Sequence, residues 1–195
     1  CFMGPCRLVG KTTTGICGAT KEVVHARNLA RMIAAGSAAH SDHGRNMAFT
    51  LLAWGKGVAP GFDVKDERKL VRIAEVVGIE KPEQKDTHEL AVEVAEKAFE
   101  DFSRQEGELS FVKRAPPKRQ ELWRRLGIAP RGIDREVVEM MHRTTMGVDQ
   151  DPEHILTHAM RVALADGWGG SMWATDITYI LFGTPKPLLS YSNVG

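Results

Sequence analysis

The sequence predicts an all-α fold: an irregular N-terminal cysteine loop, a bundle of about eight helices, and an extended C-terminal tail. Three observations carry that prediction. Apolar residues recur at helical spacing along most of the chain. Capping residues or prolines open these runs, and glycines close most of them. The β-rich patches are confined to SFV and TYILF, and the second continues a helical pattern.

The elements follow in order. Thr20 caps a helix through TKEVVHARNLARMIA, with Val23, Val24, Leu29, Ala30, Ile33 and Ala34 near one face; Gly36-Ser37 predicts a break. A second helix runs from Ala38 to Trp54 and stops at the glycines of GKGVAPG. Asp66 caps a short amphipathic helix carrying Leu70, Ile73, Ala74 and Val77. The strongest pattern is DTHELAVEVAEKAFEDFSRQ, where Leu90, Val94, Ala95, Ala98 and Phe102 share a face opposite Glu and Lys. PPKRQELWRRLGI enters on prolines and ends at Gly127. IDREVVEMMHRTTMG, DPEHILTHAMRVALADG and SMWATDITYILFG supply three more helices, the middle one entered by Asp151-Pro152. Residues 1–19 form the cysteine loop, 20–185 the helical domain, and 186–195 (KPLLSYSNVG) the tail. Met140, Met141, Met160 and Met172 read as core filling. Lys113, Arg114, Lys118, Arg119, Arg124 and Arg125 read as a solvated basic face.

Composition narrows function by exclusion. A formal net charge of +1 gives no reason to expect nucleic acid or an anionic membrane as partner. No apolar run reaches the roughly 20 residues of a membrane-spanning helix, and the start lacks a signal-peptide layout; the expected location is cytoplasmic. All three cysteines lie in CFMGPCRLVGKTTTGIC. An odd number is no disulfide framework, and in a reducing compartment clustered thiols bind metal or carry redox chemistry. A start on cysteine, inside what reads as a motif and without an initiator methionine, points to a segment of a longer chain. GKTTTG is not a phosphate loop, because the required first glycine falls on Pro5. The spacing C-x4-C-x10-C leaves three readings open. Iron–sulfur ligation suits the glycines Gly4, Gly10, Gly15 and Gly18, which let backbone approach a bulky inorganic core. Structural zinc would recruit His25 or His40 as a fourth ligand. The thiols could also be unliganded.

The stretches MGPCR…GICGAT…ARNLARMIAAGSAAHSDHGR and, more specifically, HRTTMGVDQDP and LADGWGGSMWATDITYILFGTPKPLLSYSNVG resemble nickel-containing, anaerobic carbon monoxide dehydrogenase over essentially the whole chain. The resemblance implies a [4Fe–4S] relay cluster bound through C-x2-C-x4-C and a later fourth cysteine. Cys1, Cys6 and Cys17 match the second, third and fourth ligands, with the first expected three residues before Cys1. It also implies a homodimer sharing a further cluster, whose ligands would lie upstream. A catalytic nickel–iron–sulfur cluster would have its ligands downstream, so residues 186–195 would begin the catalytic domain. A ferredoxin-type electron carrier is implied, with acetyl-CoA synthase or hydrogenase as associated partners. Hybrid-cluster proteins, which reduce hydroxylamine, share the fold and are the alternative within the enzymes. A non-enzymatic helical domain with structural zinc is the alternative outside them.

His40 and His43 stand three apart on one helical face, and imidazole exchanges protons near neutral pH. In the resembling family a ladder of histidines on the matching helix exports protons. His40 and His43 fall on its first two rungs, with Asn46 and Phe49 on the next two. A relay predicts inward-facing rings; the competing reading is ordinary surface or capping histidines near a Gly-Ser break. His154 and His158, with His142 before them, have HxxxH spacing without the following Glu of zinc hydrolases, and read as polar helix-face residues. His25 and His88 carry no functional expectation.

Overall fold

The computed structural model describes residues 1–4 and 6–186; most of the expected extended tail lies outside the described residues. Among these are seven α-helices and no strand beyond an isolated Thr14–Thr20 bridge. The axis of the molecule is α1 (Lys21–Gly55), which Thr20 opens by accepting from the Val23 N–H at 3.4 Å. At 35 residues it is ~50 Å long. The break expected at Gly36-Ser37 is absent, which reduces the count from eight to seven. Gly36 lies on the exposed side with open space beside it, while Ser37 is buried, so burial of the inner face carries the helix through.

Around α1 pack α3 (Thr87–Ser103), α5 (Ile133–Arg143), α6 (Pro152–Ala165) and α7 (Ser171–Phe182). The shorter α2 (Glu67–Val77) leans on α3 and α7, and α4 (Pro117–Arg125) is entered on prolines as expected. Asp66 caps α2 through the Lys69 N–H at 2.9 Å, and Gly78 closes it at φ 87°, a left-handed conformation that a side chain would strain. SFV is not a strand: Ser110–Arg114 is a 3₁₀ turn. Its anchor is the buried Asp101, which accepts from the Ser110 N–H and hydroxyl and from Trp173 Nε1 at 3.0–3.1 Å. The glycines of DGWGG do not separate α6 from α7; Asp166–Gly170 is a π-helical turn joining them into one helical path.

Two apolar cores result. The larger gathers Leu51, Leu70, Leu90, Val94, Phe111, Trp173 and Ile177 between α1, α2, α3 and α7. The smaller gathers Val23, Ala26, Ala30, Met140, Ile155 and Val162 between α1, α5 and α6, and Cys1, Leu8 and Cys17 rest on it. Met140 is core as expected; Met141 and Met160 are exposed, because they sit on the outer sides of α5 and α6. The basic stretch is not simply solvated either. Arg114 reaches the buried Asp176 at 3.1 Å, and Arg124 makes a two-pronged pair with Glu108 at 2.7 Å.

Candidate functional site

The cysteine loop is held by short backbone bonds: Gly15 N–H to the Ala19 carbonyl (2.8 Å), Gly18 N–H to Gly15 (2.9 Å) and Gly4 N–H to Cys1 (3.1 Å). Gly18 turns the chain at φ 83°, which brings Cys17 back toward the start of α1. Cys1, Cys6 and Cys17 are free thiols, each half-buried, and all three line one cavity of about 150 Å³. Gly4, Gly15, Ile16, Ala19, Val24 and Met146 complete its wall. A Cβ at Gly15 would stand 3.6 Å from Cys6 Sγ, so the missing side chain keeps this wall open. Met146 comes from the loop between α5 and α6, and Gln150 of that loop donates to the Cys17 carbonyl at 2.8 Å. The HRTTMGVDQDP stretch is thus the floor of the cysteine site.

The thiol of Cys17 is held below its ordinary pKa. Hydrogen bonding at the Ala19 backbone contributes most, burial opposes it, and the Arg27 guanidinium adds to the lowering. Arg27 Nη1 points at Cys17 Sγ from 3.6 Å. A thiolate-stabilising cradle with sulfur as its only side-chain donor suits a soft metal centre. Among the described residues no histidine lines the cavity, so His25 and His40 do not supply the fourth zinc ligand that the spacing allowed. His25 is exposed on α1, and His40 is engaged elsewhere.

That engagement defines a second constellation. His40 and His43 border an open cleft of about 310 Å³ with Ser171, Thr175, Thr178 and Tyr179 of α7. His40 Nδ1 lies 2.8 Å from Asp166 Oδ1 and 3.2 Å from Ser171 Oγ. The rings do not face inward: both histidines, with Asn46 and Phe49, form an exposed stripe along α1, and the His40 side chain is 54% exposed. Asp166 and Ser171, unremarked in the sequence, flank the π-helical turn; the signal that could have found them is the unusual DGWGGS run.

A third cluster is structural. His158 is buried, not on a polar face, and its Nε2 meets Glu136 Oε2 at 3.1 Å. Arg131 clamps Glu136 (2.8 and 2.9 Å) and Glu139 (2.6 Å), occupying the carboxylates that would otherwise offer a metal site with His158. Burial pushes the Glu136 carboxyl up, but hydrogen bonds from His158 and Arg131 outweigh it and hold it at about 2. His154 is an exposed neighbour of Asp151.

Residues 1–195 match the Prismane/CO dehydrogenase family. The chain belongs to that family. Among its Prismane/CO dehydrogenase relatives, carbon monoxide dehydrogenase 1 of Methanosarcina acetivorans is 53% identical over 198 residues, spanning 100% of this chain and 31% of that protein. The nickel-free carbon monoxide dehydrogenase of Thermococcus sp. AM4 superimposes with a TM-score of 0.91 at 48% identity, over 96% of this chain and 30% of that one. An acetyl-CoA synthase/carbon monoxide dehydrogenase, described for NiZn[Fe4S4] and NiNi[Fe4S4] clusters in its alpha subunits, superimposes at 0.89 and 43% identity, over 96% and 28%. The chain therefore spans about a third of the length of the relatives it matches.

Proposed function

We propose that this chain is the helical part of an anaerobic carbon monoxide dehydrogenase, which converts CO and water to CO2, two protons and two electrons, and that Cys1, Cys6 and Cys17 hold a [4Fe–4S] relay cluster. The observation that carries the reading is the convergence of three free thiols on one glycine-walled cavity with no competing side-chain donor. When bound, such a cluster supplies one-electron storage. The fourth ligand is expected three residues before Cys1, as in the resembling motif. The nickel–iron–sulfur cluster belongs to the remainder of the protein. The chain's own residues do three things: the cysteines bind, Gly4 and Gly15 leave room beside Cys6, and Arg27 and the Ala19 backbone favour thiolate at Cys17.

The inward-facing rings expected of a relay are not found, so a proton path through His40 would have to run along the exposed face of α1. With Asp166 Oδ1 accepting at Nδ1, that nitrogen carries the proton, and Nε2 is the atom left to take or release another. Asn46 and Phe49 cannot continue the transfer by imidazole, so water or another side chain would bridge beyond His43. A homodimer, a ferredoxin-type acceptor and a cytoplasmic location belong to the same proposal. An acetyl-CoA synthase partner is supported by the bifunctional relative; a hydrogenase is the other partner class proposed. Among the described residues no helix is long and apolar enough to cross a membrane. The names of the compared relatives favour this reading over a hydroxylamine-reducing hybrid-cluster protein.

The test is Cys17→Ala in the full-length enzyme. One [4Fe–4S] signal should disappear from the electron paramagnetic resonance spectrum, and CO-to-dye electron transfer should fall at least tenfold while CO still binds at nickel. Full turnover with every cluster signal intact would sink the assignment.

A further inference from the structure

Among the described residues beneath the cysteine loop, Arg27 is a buried charge that apolar packing does not account for. It is fully buried in the smaller core, among Val23, Val24, Ala26 and Ala30. A buried guanidinium is expensive unless an anion compensates it. Among the described residues Arg27 has no carboxylate partner. Its Nη2 donates to the backbone carbonyl of Asp149, whose side chain is taken by Arg143 (2.8 Å) and by the Asp151 N–H (2.8 Å). Its Nε is buried without any partner. The remaining arm, Nη1, points at Cys17 Sγ from 3.6 Å. The charge is thus aimed at sulfur and held there from the far side by the loop that floors the cavity.

We propose that Arg27 is the counter-cation of the cluster bound by Cys1, Cys6 and Cys17 and raises its reduction potential; this rests on the ligand reading above. A cubane with four thiolates is a dianion when oxidised and a trianion when reduced. A fixed positive charge and an N–H···S hydrogen bond stabilise the more negative state, and both are recognised determinants of cluster potential. The single electron comes from the reductant in a titration, such as dithionite, and resides on the irons; Arg27 gains and loses nothing. Its role is positioning and electrostatic rather than catalytic.

The experiment is a redox titration of the full-length enzyme followed by electron paramagnetic resonance. Arg27→Met keeps an unbranched apolar stem and removes the guanidinium with its charge. At a fixed potential the reduced-to-oxidised ratio of this cluster should fall about tenfold or more, which is about 59 mV for one electron. Arg27→Lys restores the charge without the fork and should recover part of the shift. An unchanged potential in Arg27→Met overturns the inference while leaving the ligand reading intact. If Cys17→Ala leaves every cluster signal in place, the ligand reading itself has failed. Should Arg27→Met fail to assemble, the wild-type enzyme labelled with 15N-arginine still decides. Pulsed resonance should show a 15N coupling to the reduced cluster, which Arg27→Lys abolishes, and its absence in the wild type overturns the proposal.

Discussion

At the scale of single residues, the chain spends its buried charge in two different ways. Arg27 is buried facing sulfur, whereas Glu136 is buried facing cations. Glu136 has no solvent exposure, yet its carboxyl is held at about 2 against an ordinary 4.5, because hydrogen bonds from His158 and Arg131 outweigh the effect of burial. A carboxylate with a depressed pKa adds stability above its unfolded value and loses it as pH falls through the folded one. That displacement is worth about 3 kcal/mol at neutral pH. Glu136→Gln should therefore loosen α5 and α6 by about 3 kcal/mol near pH 7, measured as faster amide hydrogen exchange in those helices after correction for intrinsic rates. The gap between variant and wild type should shrink from about pH 4.5 downward and close near pH 2. A gap of constant size across that range would show that shape, not charge, is what Gln disturbs. None of this pairing was legible in the sequence: Glu136 and His158 sit on different helices, and HxxxH spacing coupled His158 to His154, which is exposed, and not to Glu136.

At the scale of elements, local signals were legible where the physics is local. Thr20, Asp66 and Asp151-Pro152 cap helices because a side-chain oxygen reaches an N–H two or three residues away, whatever surrounds it. Glycine is ambiguous for the opposite reason, since its meaning depends on what the tertiary fold places beside it. On α1 the two kinds are eight residues apart. A Cβ at Gly36 meets nothing, while a Cβ at Gly44 would stand 2.8 Å from the Gly170 carbonyl oxygen and 3.1 Å from the Phe102 ring. Gly44 and Gly170 are where α1 and the π-helical turn touch, and that contact sets Asp166 against His40. The same substitution should therefore have opposite signs. Gly36→Ala should stabilise α1 by about 0.5–1 kcal/mol. Gly44→Ala should destabilise by about 1–3 kcal/mol through overpacking and displace Asp166 from His40. Native-state hydrogen exchange along α1 reads both, and equal effects would mean that the helix, not its contacts, governs.

At the scale of the whole molecule, two cores share one long helix, and the cysteine loop rests only on the smaller. The sequence shows helices and faces but not this division, because nothing in a heptad-like pattern says which partner covers a face; the break expected at Gly36-Ser37 obscured that one helix serves both cores. The division predicts that damage stays local. Ile155 and Leu70 are both fully buried aliphatics, one in each core. Truncating either to Ala should cost about 2–5 kcal/mol by cavity formation. Their effects on the cysteine site should differ. Ile155 belongs to the core against which Cys1, Leu8 and Cys17 pack, so Ile155→Ala should speed hydrogen exchange in residues 6–19 and hasten iron loss to a chelator. Leu70→Ala, in the core between α2 and α3, should leave both rates near wild type at the same overall cost. If the two variants lose iron equally fast, the cores unfold as one cooperative unit, and the cysteine loop draws its order from the whole bundle.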